Sequence, residues 1–180
     1  MIGERQIHGF NYEQSIFARF NIQPSETYTS EWDGYLNGIP VSIKLEKYGS
    51  DIELADYFRN SQKTSDFYLF VGFWEGQKDN IVEEHILFIN GSEWHELFNE
   101  EFNQKFRDLL DNITNSYEDD VKWKKNITTL RSEWRNKTDN LIRPRFKRDH
   151  GSQKRIQCAI NNRDFYNYFI RKYGISEEDI

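Results

Sequence analysis

Asn37-Gly38 stands between two alternating runs, residues 31–36 and 39–45. That dipeptide in that setting is the strongest short-range signal for a two-residue β-hairpin turn, because type I′ needs positive φ at both central positions. The turn fixes the register: residues whose numbers sum to 75 face one another, Leu36 with Ile39, Asp33 with Ser42 and Glu31 with Lys44. Pro40 agrees, since it falls at a non-hydrogen-bonded pair where its missing N–H costs nothing. Alternation then predicts one apolar face of Trp32, Leu36, Val41, Ile43 and Leu45. The opposite face carries Glu31, Asp33, Tyr35, Ser42 and Lys44.

That second face sets two carboxylates, a hydroxyl and an ammonium on adjacent strands. A metal-dependent phosphodiester hydrolase needs such a set. Mg²⁺ takes carboxylate and carbonyl oxygens plus waters, and a bound ion polarises phosphate and acidifies water. An ammonium beside it orients the water or offsets charge developing in the transition state. The plainer alternative is a cross-strand Glu31–Lys44 ion pair, worth ~0.2–1 kcal/mol.

Asp33, followed by Ser42-Ile43-Lys44 on the next strand, resembles the PD-(D/E)XK, or restriction-endonuclease-like, nuclease superfamily, and small type II restriction enzymes within it. Trp32 replaces the family's Pro, and Ser42 stands where Asp or Glu is usual. The resemblance covers roughly residues 11–90. It implies that Asp33 binds Mg²⁺ (Mn²⁺ substituting), with Glu31 supplying the missing charge and Ser42 acting as a weak outer ligand. Lys44 would position the water. A Glu from the preceding helix often joins the family's site, which points to Glu13.

Glu13 lies on a helix expected over 11–20, on the same stripe as Phe17 and Phe20. A half-exposed carboxylate in a first helical turn is the other reading of it. Beyond the hairpin, Ser50 or Asp51 can cap a helix running to about residue 60. Strands are expected over 67–74 and 81–90. The fold class is therefore α/β, a restriction-endonuclease-like mixed sheet flanked by helices, with a C-terminal helical and β-hairpin elaboration. The chain reads as one domain over 1–180, a catalytic core over 11–90 and the elaboration over 92–180. A helix over 92–113 and another over 117–137 open that elaboration, and a short one over 163–172 closes the chain.

Charge is distributed unevenly. Between Lys122 and Arg155 twelve Lys/Arg face only Glu133, Asp139 and Asp149, a net +9 that leaves −15 for the rest of a chain totalling −6. Such asymmetry suits nucleic acid, although a solvated basic helix would show it too. Two alternating runs, 141–148 and 154–160, flank a turn at 149–153. A basic two-stranded ribbon of this kind fits a major groove. Its candidate DNA contacts are Arg143, Arg145, Lys147, Arg148, Gln153, Lys154, Arg155 and Gln157, reading bases or holding phosphates.

The single cysteine, Cys158, rules out an internal disulfide and suits a reducing compartment. No apolar run approaches a membrane span, so an intracellular, cytoplasmic protein is expected. The expected activity is Mg²⁺-dependent hydrolysis of double-stranded DNA by a type II restriction endonuclease. Palindromic cutting asks for a homodimer. The alternatives are a structure-selective repair or recombination nuclease, and a non-catalytic nucleic-acid-binding protein whose site has decayed at Ser42.

Overall fold

The structure is a computed structural model describing residues 4–27, 30–77, 80–112, 117–148 and 154–180, and only the backbone of 4–7, 117–120, 148 and 154 among these. The chain opens with α1 (Glu4–Phe20), β1 (Gln23–Pro24), β2 (Gly34–Leu36) and β3 (Ile39–Lys47), then β4 (Ile52–Asp56) and α2 (Tyr57–Ser61). It continues through β5 (Phe67–Trp74), β6 (Ile81–Ile89), α3 (Gly91–Glu96), α4 (Glu100–Asp111) and α5 (Tyr117–Lys137). Strands β7 (Ile142–Arg148) and β8 (Lys154–Ile160) follow. A C-terminal helix, π-helical over Phe165–Ile170, leads into β9 (Gly174–Ile175).

Two sheets form, in the orders β1-β2-β3-β5-β6-β9 and β4-β8-β7. The first is mixed: β3 pairs parallel with β5, while every other pairing in it is antiparallel. This is an α/β chain with a mixed sheet flanked by helices. The hairpin has the expected register, Gly34↔Val41, Tyr35↔Pro40 and Leu36↔Ile39. Asn37 and Gly38 have φ of 52° and 83°, the pair of positive values that a type I′ turn demands.

The first sheet is covered on both sides. On one, Tyr12, Ile16 and Phe17 of α1 pack with Leu36, Val41, Ile43 and Phe70. Gly72 permits the close approach, since a Cβ there would run into the Tyr12 ring. On the other side, Leu69, Val71 and Phe73 meet Ile156, Cys158 and Ile160 of the second sheet, with Trp94, Phe102 and Phe106 around them.

Trp32 belongs to this larger core, not with Leu36, Val41 and Ile43 as alternation suggested. The ladder stops at Gly34, and residues 30–33 form a bend in which period two no longer holds.

Four other expectations need correcting. Residues 51–56 form strand β4, not the first turns of a helix. Ile52 and Leu54 both bury at strand spacing, β8 supplies the partner, and a bulge at Ala55 (φ 67°) precedes α2. That helix is capped by Asp56, which accepts from Arg59 N–H at 2.8 Å. The helix expected over 92–113 is two helices, capped by Asn90 and Asn99. Trp94, Phe98, Phe102 and Phe106 keep one buried stripe across the break, so periodicity passes over it. Helix α1 begins at Glu4, earlier than residue 11. The β7–β8 hairpin begins one residue later than expected, at Ile142, and it is no isolated ribbon, because β4 pairs along β8. Among the described residues, no helix is long and apolar enough to cross a membrane.

Candidate active site

Asp33 is fixed by replacing a strand's main chain with its own side chain. Its N–H donates to the Val41 carbonyl at 2.9 Å. One step further, where β2 no longer pairs, Asp33 Oδ2 accepts the Ile43 N–H at 2.6 Å. A carboxylate accepting a main-chain N–H makes a short, charge-assisted bond. Ser42 Oγ and Lys44 Nζ each reach the same oxygen at 3.4 Å. Asp33, Ser42 and Lys44 thus share one side of the hairpin, and Ser42 is only 6% exposed.

Lys44 folds back along its own strand. Its ammonium donates to the Ile43 carbonyl at 2.8 Å and lies between that oxygen and the Asp33 carboxylate. Glu31 sits in the bend before β2, and Lys44 pairs with Asp33, not with Glu31 as the plainer alternative had it.

Glu13 comes from α1, half-buried beside this pair. Burial pushes its carboxyl up, the Asp33 charge pushes it further, and Lys44 partly offsets both. Glu13, Glu31, Asp33, Ser42 and Lys44 all line one cavity of about 580 Å³. Arg155 and Gln157 of β8 enter the same cavity from the second sheet.

The other candidate DNA contacts lie elsewhere. Arg143 pairs with Asp164 at 3.0 Å, and Arg145 with Asp51. Lys147 stands opposite Arg155, and Arg148 opposite Lys154, in the β7–β8 ladder. Gln153 lies outside the described residues, with the 149–153 turn.

Lys63, just after α2, escaped the sequence reading. It is 7% exposed, and its ammonium lies 3.8 Å from the centre of the Trp32 ring. Burial, reinforced by Lys44, pulls it down to about 8, against the counter-pull of Glu31 and Asp33. A buried lysine with a lowered pKa in a cleft is a recurrent mark of a functional site.

Among the described residues no three His, Cys, Asp or Glu side chains form a metal cluster by themselves. The donor set nevertheless fits Mg²⁺, which takes one or two carboxylates and keeps waters and substrate oxygens for its other positions. Asp33, Glu13 and the Ile43 carbonyl supply hard oxygens, and the position between two of them already holds a cation, the Lys44 ammonium. No family model, curated protein or solved structure matches this chain.

Proposed function

We propose that this protein is a Mg²⁺-dependent endodeoxyribonuclease of the restriction-endonuclease-like fold, cutting duplex DNA as a homodimer in the cytoplasm, in the manner of a type II restriction enzyme. The observation that carries the reading is the Lys44 ammonium lodged between the Asp33 carboxylate and the Ile43 carbonyl, in a cavity shared with Glu13. A helix and an antiparallel hairpin flank it, and the second hairpin strand runs parallel to the next strand of the sheet, which supports the reading.

In this reading Asp33, Glu13 and the Ile43 carbonyl would hold the ion, which would polarise the phosphate and acidify a water. Lys44, released from Ile43, points its ammonium at the attacking water or at the phosphoryl oxygens as they gain charge. Ser42 steadies Asp33 through its hydroxyl. Arg155 and Gln157 bring a cation and an amide to the strand lying in the cavity. Glu31 stands near the buried ammonium of Lys63 and balances part of its charge.

Incubating the protein with supercoiled duplex DNA and Mg²⁺ tests this, with nicked and linear products as the readout. Asp33→Asn and Lys44→Ala should each abolish cutting. Ser42, occupying the position of an acid, favours one second reading, a nucleic-acid-binding protein without cleavage. Binding with no products in either Mg²⁺ or Mn²⁺ would select it.

A further inference from the structure

A second cavity of about 580 Å³ opens at the outer edge of β7. Arg131 and Arg135 of α5, Arg143 and Arg145 of β7, and Arg163 of the C-terminal helix line it, with no carboxylate among the lining residues. We propose that this cleft is a phosphate-binding site.

Its arginines are held from behind. Asp164 takes Arg143 at 3.0 Å and Arg163 at 3.6 Å. Asp51 takes Arg145, and is itself fixed by Asn161 Nδ2 and Asn162 N–H, each at 3.0 Å. Arg131 and Arg135 have no carboxylate partner among the described residues. The Arg131 guanidinium lies 5.3 Å from the centre of the Phe146 ring, where burial and the charges of Arg135 and Arg145 disfavour its ionised form. Cations crowded against one another gain most from an anion, and the planar guanidinium fork matches phosphate geometry. Trp134 is buried in the core and offers no open face to a base. The cleft therefore holds phosphate without reading sequence.

Its position indicates the source of that phosphate. Arg145 faces Gln157 across β7 and β8, and Gln157 faces Asp56 across β8 and β4. Gln157 and Asp56 line the Asp33 cavity. Two strand spacings separate Arg145 in the cleft from Asp56 in that cavity, about 10 Å. At 3.4 Å of axial rise per nucleotide this is roughly three nucleotides along a strand. A backbone phosphate of the bound strand is thus the favoured occupant, an inference that rests on the nuclease reading. A free polyphosphate shares the same chemistry.

The test is Arg131→Gln with Arg135→Gln, both exposed positions, alongside a double Lys variant that keeps the charge. Binding of a short duplex and of tripolyphosphate is measured in EDTA, so that no cutting intervenes. Duplex binding weakened about tenfold or more, with the salt slope reduced by about one, identifies a strand phosphate. Loss confined to tripolyphosphate identifies a free phosphate ligand. Unchanged binding of both overturns the site. A protein that binds with this dependence but never cuts keeps the cleft and loses the nuclease reading.

Discussion

The Asp33 carboxylate accepts the main-chain N–H of Ile43 at 2.6 Å, so the residue proposed for catalysis also closes the hairpin. Ile43 is buried, and an unpaired N–H there costs about 1–3 kcal/mol. Asp33→Ala should therefore lose stability of that order as well as cutting. Asp33→Asn keeps an acceptor and should unfold close to the wild type while remaining inactive. Urea titration of the two variants separates the structural role from the chemical one, and equal stability of both would refute the structural role.

Lys63 should be costly to the fold and useful to the site. Its ammonium has been pulled from its ordinary 10.5 to about 8 by burial. Between those values the unfolded chain holds more protons, so stability should rise as pH climbs from about 8 toward 10.5. Lys63→Met should remove that rise, leave stability at neutral pH unchanged or higher, and weaken cutting. A pH series of thermal unfolding with both proteins checks it.

Glu46 lies two residues beyond Lys44 and accepts the Glu53 N–H at 3.0 Å. Burial lifts it from 4.5 to about 7, with Glu53 and Asp51 adding to the rise. The folded protein holds the extra proton between those values, so stability should fall as pH rises through this window, by at most about 3 kcal/mol. Glu46→Gln should flatten the profile. A variant with the wild-type slope would remove Glu46 as the cause.

Gly72→Ala reaches the site from a distance. The added Cβ meets the Tyr12 ring, and overpacking of this kind costs about 1–3 kcal/mol. Because Glu13 follows Tyr12 on α1, the displaced helix should also lower cutting more than DNA binding. Parallel denaturation, binding and cleavage measurements would show whether the two losses travel together.

The hairpin was legible because its turn chemistry and its alternation agree: Asn-Gly permits one register, and Pro40 accepts it. Strands β5 and β6 were legible as apolar runs with stops. Residues 51–60 were not, because Ile52, Leu54, Ala55 and Phe58 suit either period, and pairing with β8 decides between them. Asn99 ends one stripe and begins another in phase, which periodicity cannot register. Asp33, Ser42, Lys44 and Glu13 could be named because they sit on or beside the hairpin. Lys63 and the arginine cleft depend on segments far apart in the chain, joined only when β4 and β8 pair and α5 folds back.

Trp32 roots one neighbour of Asp33 in the larger core, while Ile43, its hydrogen-bond donor, is rooted in the smaller one. The carboxylate is consequently a rivet through the sheet, gripped from both sides. Disturbing the packing of either core should therefore disturb this carboxylate as well.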